Sequence, residues 1–196
     1  MATSRENKSI SQFKSALIGG GARPNLFEVE LTTLPAGISW NSENFRFMAK
    51  AAALPAQNIA SIDVPFRGRI FKVAGDRTID TWTVTIINDE NFKLRNAFEE
   101  WTQLIAKLDN NLGATQPESY MTNAKVFQLG RGSKPSSTNS TGEANAVLKE
   151  YEFIDIFPTT VGEIALSYDT GDTIEEFDVE FQVQSLNLAG AGAPNG

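Results

Sequence analysis

The clearest change of hydrophobic rhythm along the chain falls between residues 73 and 92. Trp82, Val84 and Ile86 alternate with Thr81, Thr83 and Thr85, the period of a strand with one buried face. After Asn88-Asp89, residues suited to capping a helix, the apolar positions become Leu94, Phe98, Trp101, Ile105 and Leu108, spaced by three and four. Gly75-Asp76, ahead of the strand, reads as a turn. The period-two rhythm predicts further strands at 27–31, 45–51, 59–64, 69–74, 124–129, 148–156, 163–168 and 177–185. Many short strands against one amphipathic helix predict a mainly β fold. It is a β-sandwich or partly open barrel of antiparallel strands with one flanking α-helix.

The pattern weakens at three places. The first twenty-one residues are polar and end in Gly19-Gly20-Gly21, which reads as a flexible N-terminal arm before Pro24 fixes the entry to a single domain at 22–187. Residues 131–146, rich in Ser, Gly, Thr and Asn, read as an exposed loop that either contacts a neighbouring protein or is simply tolerated. Residues 188–196 read as a loose C-terminal tail.

Alternation also sorts side chains by face. Phe27, Val29 and Leu31 point opposite to Glu28 and Glu30; Tyr151 and Phe153 point opposite to Glu150 and Glu152. Phe177, Val179, Phe181 and Val183 point opposite to Glu176, Asp178 and Glu180. If these strands share a sheet with Thr81, Thr83 and Thr85, that sheet has an apolar back and an acidic, hydroxyl-dotted front without Lys or Arg. A solvated sheet face normally mixes charge signs, because like charges opposed across strands destabilise pairing. A one-sign face is either ordinary solvated surface or a surface selected for its charge.

Composition then removes function classes. The chain of 196 residues has no Cys and no His, which excludes disulfides, thiolate metal sites, Ser-His-Asp catalysis and ordinary zinc sites. Asp169-Thr170-Gly171 matches an aspartic-protease triplet but occurs once and sits between two strand signals, so it reads as a hairpin turn. The sequence therefore predicts no catalytic residue, no cofactor and no metal site. Seventeen basic against twenty-four acidic residues give a net charge of -7, the wrong sign for gripping phosphates over a broad surface. The absence of a long apolar run or a signal-peptide core argues for a soluble protein made without secretion and without a membrane anchor.

Several unusual blocks occur in order: Ala22-Arg23-Pro24-Asn25-Leu26-Phe27 with Glu28-Val29-Glu30, then Ala53-Leu54-Pro55, the 73–92 block, and Phe157-Pro158-Thr159-Thr160-Val161-Gly162-Glu163. Together they resemble the tail tube proteins of contractile-tailed bacteriophages over about 22–186, and more distantly the tubes of contractile injection and type VI secretion systems. The resemblance implies a virion structural protein rather than an enzyme. Six subunits would join into a ring, with rings stacked as the genome conduit and the tube assembled in the host bacterial cytoplasm. Partners would be further copies of the chain, the tail sheath protein, baseplate tube-initiating proteins, and tape measure protein and DNA in the lumen without specific binding. On that reading Glu28, Glu30, Thr81, Thr83, Thr85, Glu150, Glu152, Glu176, Asp178 and Glu180 are lumen-facing candidates, about 42 carboxylates per ring. Phe66, Arg69, Phe71, Lys72 and Arg77 are candidates for contacts between rings, although Phe66 and Phe71 are equally readable as core. The rival class is a carboxylate-dependent hydrolase built on Asp169 or a Glu pair.

Overall fold

Strand β8 (Glu176–Asn187) sets the pattern for the rest: Phe177, Val179, Phe181 and Val183 are buried, while Asp178 and Gln184 are exposed. The computed structural model describes residues 10–17, 21–131, 147–169 and 171–187. The other strands are β1 (Phe27–Leu31), β2 (Ala49–Ala52), β3 (Gln57–Phe66), β4 (Arg69–Ile79), β5 (Trp82–Ile87), β6 (Thr122–Leu129) and β7 (Val147–Val161). Six of them form one antiparallel sheet in the order β1-β6-β7-β8-β5-β2, rolled into a nearly closed barrel. Strands β3 and β4 pair only with each other. The mainly β, barrel-like class expected from the sequence is the one observed.

Helix α3 (Lys93–Ile105) plugs the barrel with Leu94, Ala97, Phe98 and Trp101, all buried. Phe98 meets Phe177 at 6.3 Å and Phe181 at 6.0 Å between ring centroids, in edge-to-face geometry. Trp101 packs on Phe181 at 6.0 Å and donates its indole N–H to the Tyr120 carbonyl at 2.7 Å. Trp82 lies against Phe153 and Phe181 at 4.7 and 5.2 Å, so one aromatic cluster ties β5, β7, β8 and α3 together.

Helix and strand limits depart from the sequence reading in five ways. Residues 45–51 are not one strand: α2 (Ser42–Met48) comes first, because Asn41 Oδ1 accepts the Glu43 and Asn44 amides at 3.0 and 3.1 Å and caps a helix that buries Phe45. Residues 163–168 form no strand. The pairing of β7 with β8 ends at Gly162, whose N–H donates to Asp178 O at 2.7 Å and whose carbonyl accepts from the Arg95 guanidinium at 2.5 Å. Gly75-Asp76 is not a turn but a bulge within β4, where pairing jumps from Ile59/Arg77 to Ser61/Ala74. Helix α3 starts later than Asn88-Asp89, with Asp89 Oδ1 accepting the Lys93 amide at 3.2 Å, and it ends before Leu108, which is exposed. Finally, α3 is not the only helix, since α1 (Ile10–Ala16) stands within the arm. The expectations for 132–146, Thr170 and 188–196 lie outside the described residues.

Phe98→Ala should lower stability by about 3–5 kcal/mol, the cost of a large cavity in a packed aromatic core. Leu108→Ala should change it by less than about 0.5 kcal/mol, as a solvated position does. Chemical denaturation of the two variants checks both.

Candidate functional site

The outward side chains of the barrel fall into two charged groups. In the first, register places Glu30 beside Lys125 and Lys125 beside Glu152, with Glu28, Phe127 and Glu150 in the next row. Lys125 Nζ lies 2.9 Å from Glu150 Oε1 and 3.9 Å from Glu152 Oε1. Its hydrogen bond to Glu150, followed by the charges of Glu150, Glu152 and Glu30, raises its pKa, so the ammonium stays charged at any neutral pH. Arg46 from α2 pairs with Glu28.

The second group lies on β8 and β5. Thr85 Oγ1 donates to Asp178 Oδ1 at 2.6 Å, Thr83 lies opposite Glu180, and Lys50 of β2 binds Glu176 at 2.6 Å. Thr81 lies just before β5 and is exposed. Glu152 is opposite Asn187, seven residues along β8 from Glu180, so the two groups are about 23 Å apart at 3.3 Å per residue. Between them the outward rows are Ile154 with Ser185 and Phe157 with Gln182, and the one carboxylate in this interval of β7 is exposed Asp155, at a φ of 54°.

The single acidic front inferred from alternation is therefore corrected on two counts. Lys125, Lys50 and Arg46 stand among the seven carboxylates, because cations from β6, β2 and α2 reach a face that β1, β7 and β8 alone leave acidic. The sheet also rolls. In a nearly closed wall of six strands, β1 and β8 are three places apart and look in different directions. Lys125 was legible as the basic residue of its alternating strand, but its opposition to Glu150 and Glu152 needed the register.

The β3–β4 hairpin is the other unusual surface. Its turn is Arg67-Gly68 with φ of 47° and 80°, the paired left-handed residues of a tight two-residue hairpin. Every residue of β3 is exposed. Cross-strand pairing puts Ile62 with Val73, Val64 with Phe71, and Phe66 with Arg69, so one face is a row of apolar side chains in water. Phe66 and Phe71 are each 66% exposed and are not core. Lys72 is already held by Asp63 at 2.9 Å on the opposite face, which also carries Arg77 beside Ile59. A two-stranded hairpin with an uncovered apolar face is not a structure that stands well alone in water.

No group of three or more acidic side chains among the described residues is arranged to hold a metal ion. Asp169 is exposed, with its amide bonded to Ser167 Oγ at 3.2 Å.

Comparison with known proteins bears on both surfaces. The sequence profile of the family described as phage tail tube protein matches residues 22–188. Tail tube protein gp19 of Enterobacteria phage T4 is 40% identical over 161 residues, 82% of this chain and 88% of that protein. Its counterpart in Enterobacteria phage T6 is 39% identical over an equal span. Among solved structures, a chain of the anti-feeding prophage baseplate superposes with a TM-score of 0.61 at 12% identity, covering 87% of this chain and 96% of that one. A chain of the sheath-tube complex of an extracellular contractile injection system gives 0.56 at 13% identity, covering 94% and 99%. Both structures share the fold.

Lys125→Met removes the cation from among Glu30, Glu150 and Glu152. It should cost under about 1 kcal/mol, since the group is solvent-screened. The sign of the salt effect is the sharper test: the variant keeps only carboxylate repulsion, so urea denaturation should find it recovering stability from low to high salt.

Proposed function

The chain belongs to the phage tail tube protein family, and we propose from that premise how its two surfaces divide the work of a tube. It is a structural component of a contractile-tailed phage virion. In the reading proposed here, rings of six subunits stack into the inner tube of the tail. The tube is nucleated on the baseplate, enclosed by the sheath, assembled in the host cytoplasm, and used as the conduit for the genome.

The observation that carries this reading is the hairpin. Five apolar side chains on one face, Ile62, Val64, Phe66, Phe71 and Val73, stay in water on the single subunit. Covering such side chains contributes roughly 1.5–3 kcal/mol each, whereas an exposed ion pair contributes about 0–1 kcal/mol. Apolar burial therefore dominates. Phe66 and Phe71 near the tip are the contacts to the next ring, Arg69 flanks them, and Lys72 and Arg77 act as solubilising neighbours rather than bridges.

For the channel lining, the wall made by β5 and β8 fits better than the wall around β1. Its outward residues Thr83, Thr85, Glu176, Asp178, Glu180 and Gln182 are polar, with Thr81 continuing the row and Ile87, opposite Glu176, the apolar exception at its end. The β1–β6–β7 wall includes Phe127, and α2 reaches across it with Arg46. Three carboxylates on β8, one of them paired with Lys50, leave about 12 net negative charges in six copies, enough to repel a polyanion along its path. A cationic lining would instead exchange counterions with phosphate and hold the genome. Glu28, Glu30, Glu150 and Glu152 then serve the outside or the contact between neighbours. The 40% identity to gp19 of phage T4 favours a phage tail over an injection system, whose chains here share only the fold.

Asp178→Lys with Glu180→Lys should leave tubes visible by negative stain but slow DNA ejection, while Glu28→Lys with Glu30→Lys should not slow it. Equal ejection rates for all would reject the lining. Phe66→Asp with Phe71→Asp should give folded subunits, by circular dichroism, that form no long tubes.

A further inference from the structure

Helix α1 presents a second uncovered apolar face. Ile10, Phe13 and Leu17 form one stripe, 76%, 66% and 44% exposed, and the Leu17 amide bonds Phe13 O at 3.0 Å to complete the last turn. No residue of α1 is buried. A seven-residue helix does not persist in water by its own hydrogen bonds, so its stability must come from a surface that takes the stripe.

The tether limits where that surface can be. Gln128 Nε2 donates to Arg23 O at 2.8 Å and to Leu26 O at 2.7 Å, pinning the chain at the end of the barrel where β1 begins. Arg23 is six positions after Leu17, a reach of at most about 22 Å. Strand β2 runs antiparallel to β5 and so toward that same end, and β3 leaves from it. The arm and the hairpin therefore extend at one end of the subunit. Within one subunit they do not cover each other, since Ile62 and Val73 remain 53% and 42% exposed.

Rotation within a ring keeps features of one end at one height, so the arm of one copy can meet the hairpin of the next; stacking brings opposite ends together. The sizes agree. The stripe from Ile10 to Leu17 spans about 10 Å, and the inner half of the hairpin face, from Ala60 to Val64, spans about 13 Å.

We propose that α1 of each subunit seats Ile10, Phe13 and Leu17 on Ile62 and Val73 of a neighbouring copy in the same ring, leaving Phe66 and Phe71 for the next ring. This rests on the tube reading above. Three such side chains bury roughly 350 Å², below the ~800 Å² per partner of a standard interface, so α1 is a clasp added to a ring that other contacts hold together.

Because the chain has no cysteine, introduced thiols report the contact directly. Full-length Phe13→Cys and Ile62→Cys subunits are mixed, assembled into tubes and oxidised. The clasp predicts a disulfide-linked dimer in roughly tenfold or greater excess over a control mixing Phe13→Cys with Leu166→Cys, since held contact raises the local thiol concentration to the mM range. Tubes without that excess overturn the clasp. So does a link that forms only within single chains of the double variant Phe13→Cys/Ile62→Cys. A wild-type chain that gives no tubes by microscopy removes the tube reading itself, a separate result.

Discussion

The contact of Phe98 and Trp101 on α3 with Phe181 on β8 is the interaction on which the rest depends. It holds Phe177 and Phe181 of β8 on one helix at 6.0–6.3 Å between ring centroids, and Trp82 of β5 joins the cluster on Phe181 at 5.2 Å and on Phe153 of β7 at 4.7 Å. Once Phe177, Val179, Phe181 and Val183 are fixed inward, strand alternation leaves Glu176, Asp178, Glu180 and Gln182 no choice but to face out. The polar wall is therefore a consequence of the core and not a separately built site.

The same core leaves the hairpin outside the barrel, as a separate two-stranded sheet whose proposed role is in assembly. Strands β2 and β5 belong to the barrel, whereas β3 and β4 continue beyond it and find no partner sheet. Asp80 N–H to Ala56 O at 3.0 Å and the Asn58 amide to Asp80 Oδ1 at 2.9 Å hold only the base. Further out, one face is apolar surface running to a tight turn, which in the proposed tube is covered by another copy.

Much of this was legible in residue order. Trp82, Val84 and Ile86, the inward residues of β8, and the spacing of Leu94, Phe98 and Trp101 gave the barrel and its plug. What failed did so for identifiable reasons. Phe45 and Phe47 alternate like a strand, yet Asn41 and Glu43 supply a cap and a first-turn acid, and local capping prevailed. Gly75 looked like the turn because it precedes Asp76, while the turn itself fell on Arg67, a residue that rarely takes positive φ, beside Gly68. The cations among the carboxylates were invisible for a different reason. Lys125 meets Glu150 only through the register of β6 on β7, and register is a property of the sheet rather than of either strand.

The central claim is that assembly covers the apolar hairpin and turns the β5–β8 wall to the channel. An electron cryomicroscopy reconstruction of tubes formed by the purified chain measures both at once. The account predicts Asp178 and Glu180 on the lumen and Phe66 and Phe71 buried between copies. Tubes with Phe66 and Phe71 in solvent and β8 facing outward would contradict it.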